Sequence, residues 1–169
     1  MTPSLDDLMR QAKSALELAR TATGEEAQGA ADSFGAAIGG IGRRLHLAPE
    51  NTDKVRAFVA DTAEYILRPS VLWLWVSSVV NAAEPSNAEP ALYVQALNMR
   101  SDLEFFRDLY GDSIARERLQ RIQMEETDAD LERLAPHYHI AEVPADIPAH
   151  HVWWHRHTKP RARVGSAEP

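Results

Sequence analysis

The chain of 169 residues suits one domain with an extension. Hydrophobic residues make up 44 % and aromatics 7 %, so a core forms but is thin where alanine supplies it. A net charge of −7 argues against DNA and RNA as partners, and the lack of cysteine excludes disulfides, thiol nucleophiles and thiolate metal sites.

The opening stretch MTPSLDDLMRQAK is acidic and amphipathic, without the apolar run of a secretory signal, and cytoplasmic location is the default expectation. Ser4 to about Thr23 predicts a helix, with Ser4 as N-cap and Asp6 and Asp7 in the first turn. Leu5, Leu8, Ala12, Ala15, Ala19 and Ala22 recur at spacings of three and four. This small-residue seam suits close approach of a second helix, and Leu5, Leu8, Ala12 and Ala15 are candidate self-association residues.

The Gly/Ala-rich stretch 24–42 places Phe34, Ile38 and Ile41 on one helical face, with Gly35 and Gly39 as a GxxxG pair. Glycine weakens a helix by about 1 kcal/mol per residue, so this stretch is expected to be a helix that needs a partner surface. A membrane-surface contact through residues 35–47 is an alternative. Asp32, Arg43 and Arg44 leave it too short to span a bilayer.

Pro49 opens a further unit, with Asn51 or Thr52 capping a helix that runs to Leu67 and buries Val55, Phe58, Val59, Thr62, Tyr65 and Ile66. Residues 71–83 are apolar almost all round and predict the central buried helix, with a β-strand over 71–80 as the rival. At about 20 Å such a helix falls short of a bilayer of about 30 Å. EPSNAEP, 84–90, reads as a loop. A helix follows from Ala91 to Tyr110, with Ser101-Asp102 as a candidate break. A charged helix over 113–126 should bury Ile114, Leu119 and Ile122. Thr127 with Asp130 resembles a capping box for a last helix ending near Leu134. The carboxylates of 102–132 alternate with arginines, the pattern of a solvated, salt-bridged face.

From Pro136 onward, prolines and the loss of periodicity predict an extended segment. Six of the seven histidines lie there. On an extended strand both rings of a His-x-His pair point to one side, so His137/His139 and His155/His157 are candidate ligands for a divalent transition metal. Trp153 and Trp154 are adjacent. In extended backbone one should pack on the domain while the other faces a partner, and with Arg156 they are candidate anchors.

No motif of nucleophilic, phosphate-binding or HExxH chemistry is present. The expectation is therefore an all-α, irregular bundle, centred on 65–83 and 92–110, with an N-terminal amphipathic helix and an extended Pro/His/Trp-rich C-terminal tail. It divides into 1–48, a helical core 49–135 and a tail 136–169. The functional expectation is a non-catalytic assembly or scaffold subunit, a homo-oligomer that docks a protein partner through its tail. The alternatives are a metal-binding protein using the tail histidines and a subunit peripheral to a membrane.

Overall fold

The computed structural model describes residues 3–66, 69–83, 90–138, 140 and 142–155, with side chains at 69, 70, 90, 118 and 155 excepted. Among the described residues helices are the only regular secondary structure, with no strand. Its helices are α1 (Leu5–Ala19), α2 (Gly24–Leu47), α3 (Thr52–Ile66), α4 (Pro69–Ala82), α5 (Pro90–Tyr110), α6 (Arg116–Gln120), α7 (Glu125–Leu134) and α8 (Val152–His155), with 3-10 turns at Pro49–Asn51 and Ala135–His137. No described helix is long and apolar enough to cross a membrane.

Helix α1 begins in a capping box. The Ser4 hydroxyl accepts from the Asp7 amide and the Asp7 carboxylate accepts from the Ser4 amide. The chain turns into α2 through Gly24, whose φ of 57° lies in the left-handed region open to glycine.

Helix α2 is the axis of the bundle, packed against α1, α4 and α5. Its glycines are the reason. A Cβ at Gly35 would overlap the Trp75 indole, one at Gly40 would meet Leu8, and one at Gly42 would overlap Phe105. Three neighbouring helices thus approach α2 more closely than any side chain would permit. The surface that the Gly/Ala stretch needs is supplied by its own chain, and Phe34, Ile38 and Ile41 are buried there rather than turned to a membrane. Phe34, Trp75 and Phe106 meet edge-to-face, with ring centroids 5.4–5.9 Å apart.

Several local expectations are corrected. Residues 71–80 are helical, but α4 is not the all-round buried centre: it buries Val71, Leu72, Trp75, Val76 and Val79 and leaves Trp73 and Val80 exposed. Helix α5 runs through Ser101-Asp102 unbroken. Tyr65 is exposed on α3, and Ile114 is exposed because the charged helix shrinks to five residues, Arg116–Gln120, which it precedes. Thr127 is buried inside α7 instead of capping it. Helix α3 ends at Ile66, and Leu67 lies outside the described residues.

Two cores share α5 as a wall. The larger joins α1–α4 to Leu103, Phe106 and Tyr110. The smaller gathers Tyr93, Leu97, Phe105, Leu131, Leu134, Ile147, Trp153 and Trp154 on the other side of α5. The C-terminal segment therefore lies on the domain as an arm. Its described residues between Tyr138 and His151 are irregular apart from turns at 145–147 and 149–150, and it closes in the single helical turn of α8.

Candidate metal centre

One stripe of α5 receives the arm. Ser101, Phe105 and Asp108 follow one another at spacings of four and three, which puts them on one helical face. The arm crosses this stripe in antiparallel order. Nε1 of Trp153 and Nε1 of Trp154 both donate to Oγ of Ser101, at 3.1 and 2.8 Å. The His151 ring packs 4.6 Å from Phe105 and 5.2 Å from Trp153, centroid to centroid. Nε2 of His150 lies 3.0 Å from Oδ2 of Asp108.

Charges pin the same register. Arg43 of α2 donates to Asp102 at 2.5 Å and to Asn98 at 3.2 Å, and its guanidinium approaches Asp146 of the arm at 3.8 Å. Arg100, only 3 % exposed, donates to Asp128 and Glu104 and sits over the Trp153 ring. The expected solvated face is thus in part a buried network. A buried guanidinium held by two carboxylates is stable only while both remain.

Asp108, His150 and His151 each present one candidate ligand atom, and these atoms lie within 4.8 Å of one another. Asp108 and His150 are exposed, whereas His151 is 0 % exposed. Both ring nitrogens of His151 are buried without a hydrogen-bond partner. An unpaired buried polar atom costs about 1–3 kcal/mol, so this ring sits in its aromatic slot at a cost to the fold. Burial, with His150 and the cations Arg100 and Arg43 adding to it against Glu104, pulls the His151 imidazole down to about 4. The ring is thus neutral at neutral pH, the form that binds metal. Burial also raises the Asp108 carboxyl, with His150 opposing.

An ionised carboxylate only accepts, so the proton between Asp108 and His150 belongs to Nε2 of His150. A cation placed among the three groups takes the place of that hydrogen bond, with the His150 proton then carried on Nδ1. Ligands around one tetrahedral zinc are about 3.4 Å apart, from metal–ligand distances near 2.0–2.1 Å, so the exposed side chains of Asp108 and His150 would have to close on an ion held at the buried His151. Two imidazoles and a carboxylate are a donor set for a divalent transition metal.

Two apolar grooves open beside Asp108. One, of about 530 Å³, is lined by Gly42, Leu45, His46, Phe105, Leu109 and the arm at 148–150. The other, of about 600 Å³, runs between α3 and the end of α5. Leu45, Asp108 and Leu109 border both.

The residues singled out from sequence are placed as follows. Leu8, Ala12 and Ala15 are buried, with Leu5 half-buried beside them; α1 packs most extensively on α2, so the seam is filled within the chain. Trp153 and Trp154 are 5 % and 2 % exposed. The expectation that one Trp faces outward fails because the backbone turns helical at Val152 and both rings swing to the same side. His137 is exposed in its 3-10 turn, and the side chain of His155 is not among those described. His139, Arg156 and His157 lie outside the described residues. The sequence does not bring Asp108, His150 and His151 together: His150 and His151 read only as two of the tail histidines, and Asp108 only as one of the acids between 102 and 132.

No family model, no curated protein and no solved structure matches the chain.

Proposed function

We propose that this chain is a metal-binding helical protein in which a divalent transition ion at Asp108, His150 and His151 fastens the C-terminal arm to α5. The carrying observation is His151, fully buried with both ring nitrogens unpaired, next to the Asp108–His150 pair. A metal bond answers that unmet need directly, and the arm that brings His150 and His151 is docked by its own tryptophans. Assembly through the N-terminal seam or through the two tryptophans has less support, since those surfaces are filled within the chain.

The test is metal titration of tag-free full-length protein with zinc, followed by calorimetry and by thermal unfolding. One equivalent should bind and raise the melting temperature, since a ligand specific for the folded state stabilises it by mass action. His150→Ala and Asp108→Asn should abolish this, and His151→Phe should abolish it while keeping the aromatic packing. Zinc binding that persists in all three variants but is lost in His155→Ala/His157→Ala would move the centre to the His-x-His pair and overturn the proposal.

A further inference from the structure

The kind of metal site follows from what stands across the groove. Structural zinc sites are closed by four protein ligands, whereas catalytic sites keep a position open for water or substrate. Asp108 and His150 line a groove that the last turn of α2 also lines, with His46. His46 is exposed and makes no hydrogen bond or ion pair among the described residues.

The approach of α2 to this place is built in. Gly42 lies one turn before His46, on the same helical face, and its missing Cβ lets Phe105 of α5 press against the α2 backbone. Arg43 holds the same contact from the side through Asp102 and reaches toward Asp146 on the arm. The end of α2, the Phe105–Leu109 stretch of α5 and the arm at 148–150 therefore meet around one groove.

We infer that His46 is the fourth ligand, so that the centre is a closed structural site of three imidazoles and one carboxylate joining α2, α5 and the C-terminal arm. This rests on the metal reading above and adds to it a residue, a coordination number and a role: the ion acts as a staple and not as a catalyst. Three chain segments that are distant in sequence are fastened by one ion, so its release loosens the arm at 148–151 while Trp153 and Trp154 stay on Ser101. His46 lies outside the cluster within 4.8 Å that the other three groups form, so its exposed side chain must turn toward Asp108 to reach the ion.

The experiment uses tag-free full-length protein and cobalt(II) as a spectroscopic stand-in for zinc. Four-coordinate cobalt absorbs strongly in the visible, and five- or six-coordinate cobalt absorbs weakly. The wild-type chain should bind one cobalt with strong absorption. His46→Ala, which changes an exposed side chain, should fold normally by circular dichroism, shift the visible spectrum as water takes the vacated position, and bind zinc more weakly by at least the roughly 10–100-fold that loss of an outer partner costs. His46→Gln should behave in the same way. A wild-type site that binds one cobalt with weak absorption, or a His46→Ala site with unchanged spectrum and affinity, would overturn the fourth ligand and leave the three-residue centre standing. A wild-type chain that binds no cobalt and no zinc would overturn both.

Discussion

The guanidinium of Arg100 lies over the indole of Trp153, 4.0 Å from the ring centroid, while its nitrogens donate to Asp128 at 2.7 Å and Glu104 at 2.8 Å. One side chain of α5 thereby couples α7 to the C-terminal arm. Trp153→Ala should destabilise the chain by about 3–5 kcal/mol, the range for removing a buried aromatic. Trp73→Ala removes a ring that is 52 % exposed and should cost about 1 kcal/mol or less. Urea unfolding of both variants checks this. Equal losses would mean that the arm does not contribute to the folded core.

Ser101 accepts both indole N–H groups through one oxygen. Ser101→Ala leaves two buried donors without an acceptor, at about 1–3 kcal/mol each. The variant should therefore lose about 2–6 kcal/mol although it removes a single atom. Ser77→Ala on the exposed side of α4 serves as the control and should be nearly neutral. Tryptophan emission should also shift to the red in Ser101→Ala as the arm loosens.

The helices of this chain are legible because their signals are local. The Ser4 cap, the acids after it, the spacing of Val55, Phe58, Val59 and Thr62, and the Gly/Ala face of α2 are each read within a few residues. The site is not legible in that way. Asp108 and His150 are 42 positions apart, and nothing near either announces the other. The tryptophan pair misleads for a related reason: an alternation rule for extended chain applies only until a single helical turn replaces it. The His-x-His spacing attracts attention because it is a chelating pattern, whereas adjacent histidines acquire meaning only once the arm is docked on α5.

Glycines on α2 should respond to substitution with opposite signs. At Gly29, which faces open space, alanine should stabilise the helix by about 0.5–1 kcal/mol. At Gly35 and Gly42 the same change drives a methyl into Trp75 or Phe105, rigid rings in close-packed cores. There the cost should be about 1–3 kcal/mol, the range for overpacking. Thermal unfolding of the three variants checks the signs. Stabilisation at all three positions would show that α2 is not closely packed.

Asp102 gives the fold a pH dependence of unusual sign. Burial pushes its carboxyl up to about 6 from an ordinary 3.8, against the pull of Arg43 and with Asp146 adding to the rise. Between those values the folded state holds a proton that the unfolded chain has released. Stability from this group therefore falls as pH rises from about 4 to about 6 and is level above that. The difference between the two values corresponds to about 3 kcal/mol at most. Glu104 acts in the other direction: Arg100 and Arg107 hold its carboxyl below the ordinary range against burial, so its contribution is present at neutral pH and lost as pH falls. The Asp102 effect is isolated by comparing the wild-type chain with Asp102→Asn, which cannot titrate. Measured by urea unfolding, the wild-type advantage over Asp102→Asn should shrink by up to about 3 kcal/mol between pH 4 and pH 6.5. A difference that stays flat across that range would mean that Asp102 is ionised throughout, with the Arg43 ion pair outweighing burial.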